Sequence, residues 1–528
     1  MSKSLVINLT RFGDLIQTQP LITGLNRRGE SVGLVCLENF AQAAGLLRHV
    51  DKIIPLPGAR ILAAMKKSWP EGLRELSGVE REMIDFGPDA VINLTPSLPA
   101  RLLTRILPQP AIQHGFCLDP LGFGRYSSPW ASFLQASTRH RGCSPFNLVD
   151  LMTRIGECRP ADTTLEIAPV KEQDRTGLRT RFFNTLPQRC TGLVGMQLGA
   201  SENRRRWPVA RFALLGKLLW EHFSLVPVLL GSNKELELGE RFMADSGDFP
   251  VVNLISRTSL PELAGVLSEM DLLVTNDTGT MHLAAGLGIP LLAIFLATAQ
   301  PWDTGPYLEG CMCLEPELEC HPCTFGQSCK GELCRAAISV DDAFHALSSF
   351  LHSGKWPEVL HTRCRAWVTS RDQYGYMGLV SPSGHLASDR VRWILLQRHY
   401  YRHFLDNDPI HPPEEPLFPG AAQKSAVLAD LERGRDLTHL FIRQGQNLEK
   451  MPGRMEKKFL ATWQTLSLHW EDSPYFNVLG HHWIAETQEA GHSIPALLKV
   501  AQRFLHLYDS WLEHMNGSNG LQNDCSSA

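Results

Sequence analysis

The sequence predicts an α/β protein with two doubly wound, parallel-sheet domains in tandem, followed by a mostly α-helical annex. Short apolar runs alternate with helical stretches twice over, first across residues 5–155 and again across residues 192–351. This alternation is typical of parallel sheets that carry helices on both faces. A chain of 528 residues is also too long for one core. We expect domains at residues 1–165, 166–355 and 356–528.

The composition is that of an ordinary globular protein, with 43% hydrophobic and 20% charged residues. A formal charge of -4 predicts no general attraction to nucleic acid or to anionic lipid. The first apolar run is short and soon followed by Arg11 and Asp14, unlike a signal peptide. No apolar stretch reaches the length of a membrane span. We expect a cytoplasmic protein, and leave open a peripheral contact with the inner membrane.

The strongest local pattern lies in residues 271–307, which predict a buried strand, a sharp turn, an apolar helix and a second strand. Asp277, Thr278 and Gly279 form the turn, and His282 lies in the first turn of the helix. Such a turn directs free backbone N–H groups and the positive end of the helix dipole at one point, which suits a phosphate. The simpler alternative is an ordinary βαβ unit in which Asp277 only caps the helix.

The stretch DTGTMHLAA at residues 277–285, followed by Pro290, Phe295 and a Thr-x-x-Pro loop, resembles glycosyltransferase family 9. This is the family of bacterial heptosyltransferases, and the resemblance covers residues 1 to 355. It implies a GT-B type fold, in which two Rossmann-like domains face a cleft. In that family the motif holds the phosphates of the donor nucleotide. One position departs from the family pattern, because Leu296 stands where a glycine usually follows the phenylalanine.

Asp14 lies in the turn after the first predicted strand, residues 5–9. Ligands of open α/β sheets bind beyond the carboxyl ends of the strands, so Asp14 is expected at the mouth of a site. Capping of the next helix is the simpler role. The resemblance implies more, because family 9 enzymes begin with a strand, a Gly-Asp pair and a helix near a proline. The aspartate of that pair, Asp14 here, is the proposed catalytic base.

Further candidates follow the strands of the second domain. The basic run 204–206 could clamp a diphosphate or could simply be solvated charge. The resemblance assigns Ser201 and Arg205 to the donor-phosphate site. Glu235 follows the strand at residues 226–230, where a carboxylate can accept hydrogen bonds from ribose hydroxyls. Glu237 is a close competitor, and either carboxylate could be a solvated residue at a helix start.

Six of the 13 cysteines lie between residues 311 and 334. Four of them have the spacing of metal ligands: Cys320, Cys323, Cys329 and Cys334. Four thiolates around Zn or Fe would fix a loop that has no core of its own, and a metal is favoured over disulfides in a cytoplasmic protein. We therefore expect a structural Zn or Fe there. Cys311 and Cys313 alternate as in a strand and could simply pack.

Residues 356–528 do not match the family. Helical patterns at residues 391–404, 426–446, 456–470 and 495–514 predict a module that packs on the rest of the chain or binds a partner. We expect the adjacent His481 and His482 on a surface loop, and residues 516–528 in a disordered tail.

The resemblance implies an inverting transfer of heptose, or a similar sugar, from ADP-heptose or a related nucleotide sugar. The acceptor would be a hydroxyl of a lipopolysaccharide-core-like glycolipid, and no catalytic cofactor is needed. Asp14 would take the acceptor proton while the donor site stabilises the leaving diphosphate.

Three alternatives remain. The first is a protein glycosyltransferase that acts on an adhesin or flagellin with the same donor. The second is a catalytically silent nucleotide-binding module, against which the joint presence of Asp14, Arg205, Asp277 and His282 argues. The third, a nicotinamide dehydrogenase, is disfavoured because no G-x-G-x-x-G follows the first strand. Expected partners are a nucleotide sugar and a glycolipid or protein acceptor, not nucleic acid. Protein binding or self-association through the C-terminal helices stays open.

Overall fold

The structure is a computed structural model that describes residues 2–107, 112–138, 144–329, 331–413, 417, 420–448, 456–491 and 493–517. The chain divides into two units. The α/β unit comprises Met1–Ser127 and Phe146–His385, and the helical unit comprises Ser128–Pro145 and Leu386–Ala528. The division at residues 165 and 355 stays a prediction. Most of the predicted disordered tail, residues 518–528, lies outside the described residues.

The amino-terminal half of the chain contains the first sheet. Its strands are β1 (Lys3–Asn8), β2 (Ser31–Leu37), β3 (Lys52–Leu56), β4 (Ala90–Asn93), β5 (Ile112–Leu118) and β6 (Gly124–Tyr126). The helices of this part are α1 (Phe12–Ile16), α2 (Gln19–Arg27), α3 (Ala41–Ala44), α4 (Gly58–Lys67), α5 (Trp69–Phe86), α6 (Leu98–Ile106), α7 (Pro129–Ser137) and α8 (Leu148–Ile155). All but α7 belong to the α/β unit.

The first sheet has the strand order β3-β2-β1-β4-β5-β6, in which β1 to β5 pair in parallel and β6 is antiparallel. Strand β1 is almost entirely buried, as expected for a parallel strand covered on both faces. The order reverses between β1 and β4, and this switch point is where ligands bind in doubly wound sheets. Asp14 follows β1 directly and therefore lies at that position.

The carboxyl-terminal half of the α/β unit contains the second sheet. Its strands are β7 (Gly192–Gln197), β8 (Leu225–Leu230), β9 (Val252–Asn253), β10 (Leu272–Asn276), β11 (Leu291–Ile294), β12 (Met312–Pro316), β13 (Cys364–Arg371) and β14 (Met377–Val380). Its helices are α9 (Glu172–Phe182), α10 (Val209–Phe223), α11 (Leu236–Ser246), α12 (Leu260–Leu267), α13 (Gly279–Gly286), α14 (Pro301–Thr304), α15 (Cys334–Ala337) and α16 (Val340–Ser353).

The strand order of the second sheet is β14-β13-β12-β11-β10-β7-β8-β9. Its part β9-β8-β7-β10-β11 repeats the parallel order β3-β2-β1-β4-β5 of the first sheet. The predicted pair of Rossmann-like domains is confirmed. The antiparallel strands β13 and β14 extend this sheet, although they lie in the region that the sequence predicts as mostly helical.

The linker between the two sheets contacts both of them. The amide of Ile167 donates to the Gly286 carbonyl (2.8 Å), and the amide of Ala168 donates to the Leu46 carbonyl (2.8 Å). A pocket beside the linker is lined by Arg48, Glu166 and the carboxyl end of α13. It therefore lies at the end of α13 opposite to the turn that carries Asp277.

The helical unit is built from α7 and five helices near the carboxyl terminus: α17 (Asp389–Asp406), α18 (Ala421–Leu448), α19 (Glu456–Asp472), α20 (Asn477–Ala490) and α21 (Ile494–Gly517). The predicted helices at α17, α18, α19 and α21 are confirmed, and α20 was not predicted. Trp511 lies at the centre, stacked between Trp393 (5.5 Å) and Tyr400 (4.6 Å).

The prediction of a surface loop for His481 and His482 is wrong. Both lie in α20, and the His482 side chain is fully buried, with Nδ1 2.6 Å from Ser132 Oγ of α7. Consecutive helical residues point about 100° apart, so one histidine faces the core while its neighbour faces outward.

Gly434 of α18 tests the packing of the helical unit. A Cβ at this position would lie 1.9 Å from Cζ2 of Trp470, so Gly434→Ala must displace a buried ring. We expect the free energy of unfolding of the helical unit to fall by about 1–3 kcal/mol in urea titrations followed by circular dichroism. Gly177→Ala on α9 is the control, because nothing lies within 4 Å of its added Cβ. It should stabilise the α/β unit by up to about 1 kcal/mol. A stabilising Gly434→Ala would contradict this packing.

Candidate functional site

The turn between β10 and α13 presents Asp277 to a cation and leaves the helix start open. Asp277 is only 8% exposed, and its Oδ2 accepts hydrogen bonds from Arg205 Nη2 and from Thr304 Oγ1 (3.4 Å). Thr278 is the N-cap residue, but its side chain accepts no hydrogen bond from α13. The Met281 amide donates to the Thr278 carbonyl (3.1 Å), and the N–H groups of Gly279 and Thr280 precede it at the helix start, where backbone donors suit an anion.

Of the three consecutive arginines, only Arg205 faces this turn. Its Nη1 donates to Ser201 Oγ (3.0 Å), and its Nη2 donates to Asp277, 72 residues away in sequence. Arg204 pairs with Glu202, and Arg206 donates to the Ala200 carbonyl. The Nε of Arg205 is buried and has no hydrogen-bond partner among the described residues. It is a charged donor available to a phosphate oxygen.

His282 lies one turn into α13 as a neutral donor. Its side chain is buried, and this burial lowers its pKa to about 4 against a partly compensating effect of Asp277. The imidazole is therefore uncharged at neutral pH. Within the described part of the chain its Nδ1 has no hydrogen-bond partner. Buried polar atoms of this kind are uncommon and often mark a place where a ligand or water completes the hydrogen bonding.

Asn276 holds the ends of two strands together, a role that the sequence analysis missed. Its Nδ2 donates to the carbonyls of Leu198 (2.9 Å) and Gly199 (3.2 Å) beyond β7. Its Oδ1 accepts a hydrogen bond from the amide of Trp207 (2.9 Å). Asn276 thus fixes the segment of Ser201 and Arg205 relative to the Asp277 turn. A polar residue at the last position of an apolar strand was the available signal.

Glu235 lies at the carboxyl ends of β7 and β8. Its Oε2 accepts from the amide of Ser232 (2.7 Å), and a Cβ at Gly199 would lie only 2.4 Å from its Oε1. Glu235 also completes a capping box with Ser232, so the helix-start role is real. Glu237 points to solvent and pairs with Arg241. Of the two carboxylates, only Glu235 adjoins the strand ends.

Asp14 is brought next to this turn by a close contact between two glycines. A Cβ at Gly13 would lie 3.1 Å from Gly279 Cα and 3.2 Å from Cδ2 of His282. Burial raises the pKa of Asp14; Arg11 opposes this shift, and the negative charge of Asp277 adds to it. The structure therefore brings together Asp14 and all but one of the predicted donor-site residues: Ser201, Arg205, Asp277, Thr278, Gly279 and His282. Glu235 lies at the neighbouring strand ends.

The geometry gives the metal prediction no support. Burial, followed by the charges of the neighbouring thiolates, raises the pKa of Cys323, so the cysteines at 320, 323, 329 and 334 are neighbours. Among the described residues, however, no three His, Cys, Asp or Glu side chains form a group that could hold a metal. Sequence spacing fixes proximity but not the positions of the sulfur atoms. The prediction that Cys311 and Cys313 pack is confirmed, since both are fully buried.

The cysteine-rich segment, residues 317–335, instead contacts the loops of the site. The amide of Cys323 donates to the Ala297 carbonyl (2.8 Å), and His321 Nε2 lies 3.0 Å from the Ala299 carbonyl. Arg204 donates to the Gln327 carbonyl (2.7 Å). Ala297 has a left-handed φ of 55°, one residue after the position where the family usually carries glycine.

Comparisons with known proteins agree with this site. Residues 165–333 match the model of glycosyltransferase family 9 (heptosyltransferase). This match supports the resemblance to glycosyltransferase family 9 for this part of the chain. The matched residues include every predicted donor-site residue.

Two relatives are both named lipopolysaccharide heptosyltransferase 1. The protein of Pseudomonas aeruginosa is 25% identical over 328 residues, 60% of this chain and 85% of that protein. The protein of Campylobacter coli is 34% identical over 108 residues, 20% of this chain and 31% of that protein. The latter match thus spans about a third of its relative.

A solved structure supports the GT-B type fold. The family 9 glycosyl transferase of Veillonella parvula DSM 2008 matches with a TM-score of 0.54 and 20% identity, covering 66% of this chain and 97% of that one. None of the helices in the described ranges is long and apolar enough to cross a membrane.

The buried His282 predicts how the stability of the α/β unit depends on pH. Its pKa is about 4 in the folded state and 6.5 for an unperturbed histidine, so between these pH values the unfolded chain binds the extra proton. The free energy of unfolding should rise from pH 4 to pH 6.5, by up to about 3 kcal/mol from this residue. His282→Gln should flatten that slope in urea titrations, whereas His345→Gln, at an exposed position, should not. A slope unchanged by His282→Gln would contradict a buried neutral imidazole.

Proposed function

We propose that this protein is a family 9 enzyme and transfers a heptose or a similar sugar to a hydroxyl of a lipopolysaccharide-core-like glycolipid. The donor would be ADP-heptose or a related nucleotide sugar, and the transfer would invert the anomeric carbon. The observation that carries the proposal is the position of Arg205, which Ser201 and Asp277 hold at the start of α13, the helix whose Gly279 adjoins Gly13 in the segment of Asp14. The names of the relatives, lipopolysaccharide heptosyltransferases, support the choice of sugar and acceptor.

In this proposal the donor diphosphate lies in front of α13. The helix N–H groups, Arg205 Nε and the hydroxyls of Ser201 and Thr278 would bind its oxygens. Negative charge grows on the diphosphate as its bond to the anomeric carbon breaks, and donors already in place stabilise that charge. Asp277 keeps Arg205 in position. His282 adds a neutral N–H, and Glu235 would accept hydrogen bonds from the ribose hydroxyls.

Asp14 would act as the general base of the reaction. The acceptor oxygen attacks the anomeric carbon on the side opposite to the leaving diphosphate, which inverts that centre, and its proton passes to the Asp14 carboxylate. Burial and the nearby Asp277 raise the pKa of Asp14, so it holds a proton more strongly than an exposed aspartate. A base of raised pKa is better matched to this step at neutral pH.

The pair Glu235 and Glu237 tests the ribose contact with a matched control. Both side chains lie near the start of α11, but only Glu235 adjoins the strand ends. Glu235→Gln should weaken ADP binding in calorimetry by about tenfold, because a charged hydrogen-bond acceptor is lost. Glu237→Gln should bind ADP as the parent does. The same loss in both variants would show that this carboxylate does not recognise the ribose.

Substitution of Asp14 can distinguish nucleotide binding from sugar transfer. Asp14→Asn should keep ADP affinity within a small factor while transfer to a heptose-free core glycolipid falls by about 10²- to 10⁴-fold. Arg205→Ala should lose both ADP binding and sugar transfer. The assay follows release of ADP from ADP-heptose by mass spectrometry. Selective binding of UDP or GDP would contradict the proposed donor. Transfer only to a protein would contradict the proposed acceptor. Binding of no nucleotide would favour a catalytically silent module.

The structural Zn or Fe at Cys320, Cys323, Cys329 and Cys334 stays a separate proposal. It rests on the spacing of the cysteines in the sequence. If it is correct, the purified full chain should carry about one metal atom, lost in Cys323→Ser and kept in Cys190→Ser, when measured by elemental analysis. If the parent protein contains no metal after purification without chelators, the proposal of a metal site is wrong.

A further inference from the structure

The hairpin of α4 and α5 exposes large apolar side chains at its tip, defined here as residues 62–74. Leu62 is 65% exposed, Trp69 68% and Leu73 51%. Exposed leucines are common singly, but a tryptophan and two leucines exposed around one helix–helix turn form a group that calls for an explanation.

The tip is not an incomplete core. Gly72 packs against Met65 so closely that an added Cβ would lie 2.4 Å from Met65 Cγ, and this contact holds the two helices together. The inward side chains Ile61, Val79 and Met83 are buried in the core of the first sheet. The hairpin is therefore already packed on its inner side, and Trp69 projects from a closely packed turn.

The charges at the tip are mainly positive. Residues 62–74 contain three cations, Lys66, Lys67 and Arg74, and one carboxylate, Glu71, which gives three minus one, or +2. The whole chain, in contrast, carries -4. The three cations are exposed and form no ion pair within the described residues. Tryptophan and leucine beside lysine and arginine are the combination that binds the surface of an anionic bilayer.

The tip lies on the same side of the sheet as Asp14. The carboxyl end of α5 is fixed at the amino end of the strands, where Lys3 Nζ donates to the Phe86 carbonyl (2.9 Å). Helix α5, with 18 residues, is about 27 Å long, whereas β1, with six residues, spans about 20 Å. The amino end of α5 therefore extends past the carboxyl ends of the strands, where Asp14 lies.

A second apolar group occupies the same edge of the sheet. It comprises Leu98 and Leu102 at the start of α6 and Leu121 and Phe123 in the turn after β5, and each is at least half exposed. Arg101 connects the two segments, because its Nη1 donates to the carbonyls of Cys117 (2.8 Å) and Arg125 (2.9 Å). The apolar surface therefore extends along the carboxyl edge of the first sheet.

We infer that the α4–α5 tip docks on the surface of an anionic lipid bilayer and so brings a membrane-borne acceptor to Asp14. Trp69, Leu62 and Leu73 would enter the interface between headgroups and acyl chains, while Lys66, Lys67 and Arg74 contact lipid phosphates. This inference rests on the proposed function for the identity of the acceptor, but the docking itself does not depend on it.

The test is sedimentation of the full chain with vesicles of phosphatidylethanolamine and phosphatidylglycerol, compared with phosphatidylcholine vesicles. The tip variant Leu62→Gln/Trp69→Gln/Leu73→Gln should bind the anionic vesicles at least about tenfold more weakly than the parent. The matched control, Leu214→Gln/Leu236→Gln/Met243→Gln, removes comparably exposed apolar residues from α10 and α11 and should bind as the parent does. Thermal unfolding of each variant checks that the fold is kept.

The cations give a second, independent readout. Lys66→Glu/Lys67→Glu/Arg74→Glu should abolish the preference for anionic over phosphatidylcholine vesicles and remove most of the salt dependence of binding. The docking proposal is wrong if the parent protein does not bind anionic vesicles, or if the tip variant binds them as well as the parent does. A parent dimer that becomes a monomer in the tip variant, with no vesicle binding, would identify the tip as a self-association surface instead.

Failure of the docking and failure of the proposed function can be told apart. The tip variant should transfer sugar to a water-soluble, lipid-free core oligosaccharide at the parental rate but lose at least about tenfold with acceptor embedded in vesicles. Vesicle binding without ADP binding would retain the docking and reject the proposed function. ADP binding and sugar transfer without vesicle binding would retain the proposed function and reject the docking.

Discussion

The contact between Gly13 and Gly279 sets the geometry on which the site depends. Each glycine belongs to a helix that starts at the switch point of its own sheet, and neither position has room for a side chain. A Cβ at Gly279 would lie 2.4 Å from Cδ1 of Phe12, so even alanine would push the two helix starts apart. Because the glycines touch, Asp14 from the first sheet and Asp277 from the second lie close enough to influence each other electrostatically. The proposed base and the proposed anion-binding turn therefore lie next to each other.

At the proposed phosphate site, a carboxylate such as Asp277 would repel its ligand if it were not neutralised. Arg205 pairs with Asp277, and the position of Arg205 is in turn fixed by Ser201 and by the hydrogen bonds of Asn276 to the segment after β7. The cysteine-rich segment supports the same region from the other side through Ala297 and Arg204. Segments far apart in the chain therefore cooperate because the parallel sheet collects its strand ends along one edge.

Local patterns in the sequence were sufficient to predict both sheets and the proximity of most candidate residues, since a turn after a buried parallel strand must lie at the carboxyl edge. They were insufficient wherever the outcome depended on distant partners. The hairpin of β13 and β14 joins the second sheet through antiparallel pairing, which no local pattern specifies. Burial of His482 depends on the rotation of α20 about its axis. The spacing of Cys320, Cys323, Cys329 and Cys334 predicts neighbouring thiols, but among the described residues no three side chains form a group that could hold a metal.

Helix α7 gives the chain an unusual order of assembly. It is synthesised in the middle of the protein, yet Trp130 bonds to Asp406 and Ser132 contacts His482, which follow 276 and 350 residues later. During translation its apolar side, which includes Trp130 and Phe133, remains exposed until the last helices have been synthesised. A chain that stops at His385 would keep that side permanently without its partners. Removal of the carboxyl-terminal helices would therefore affect the middle of the chain as well as its end.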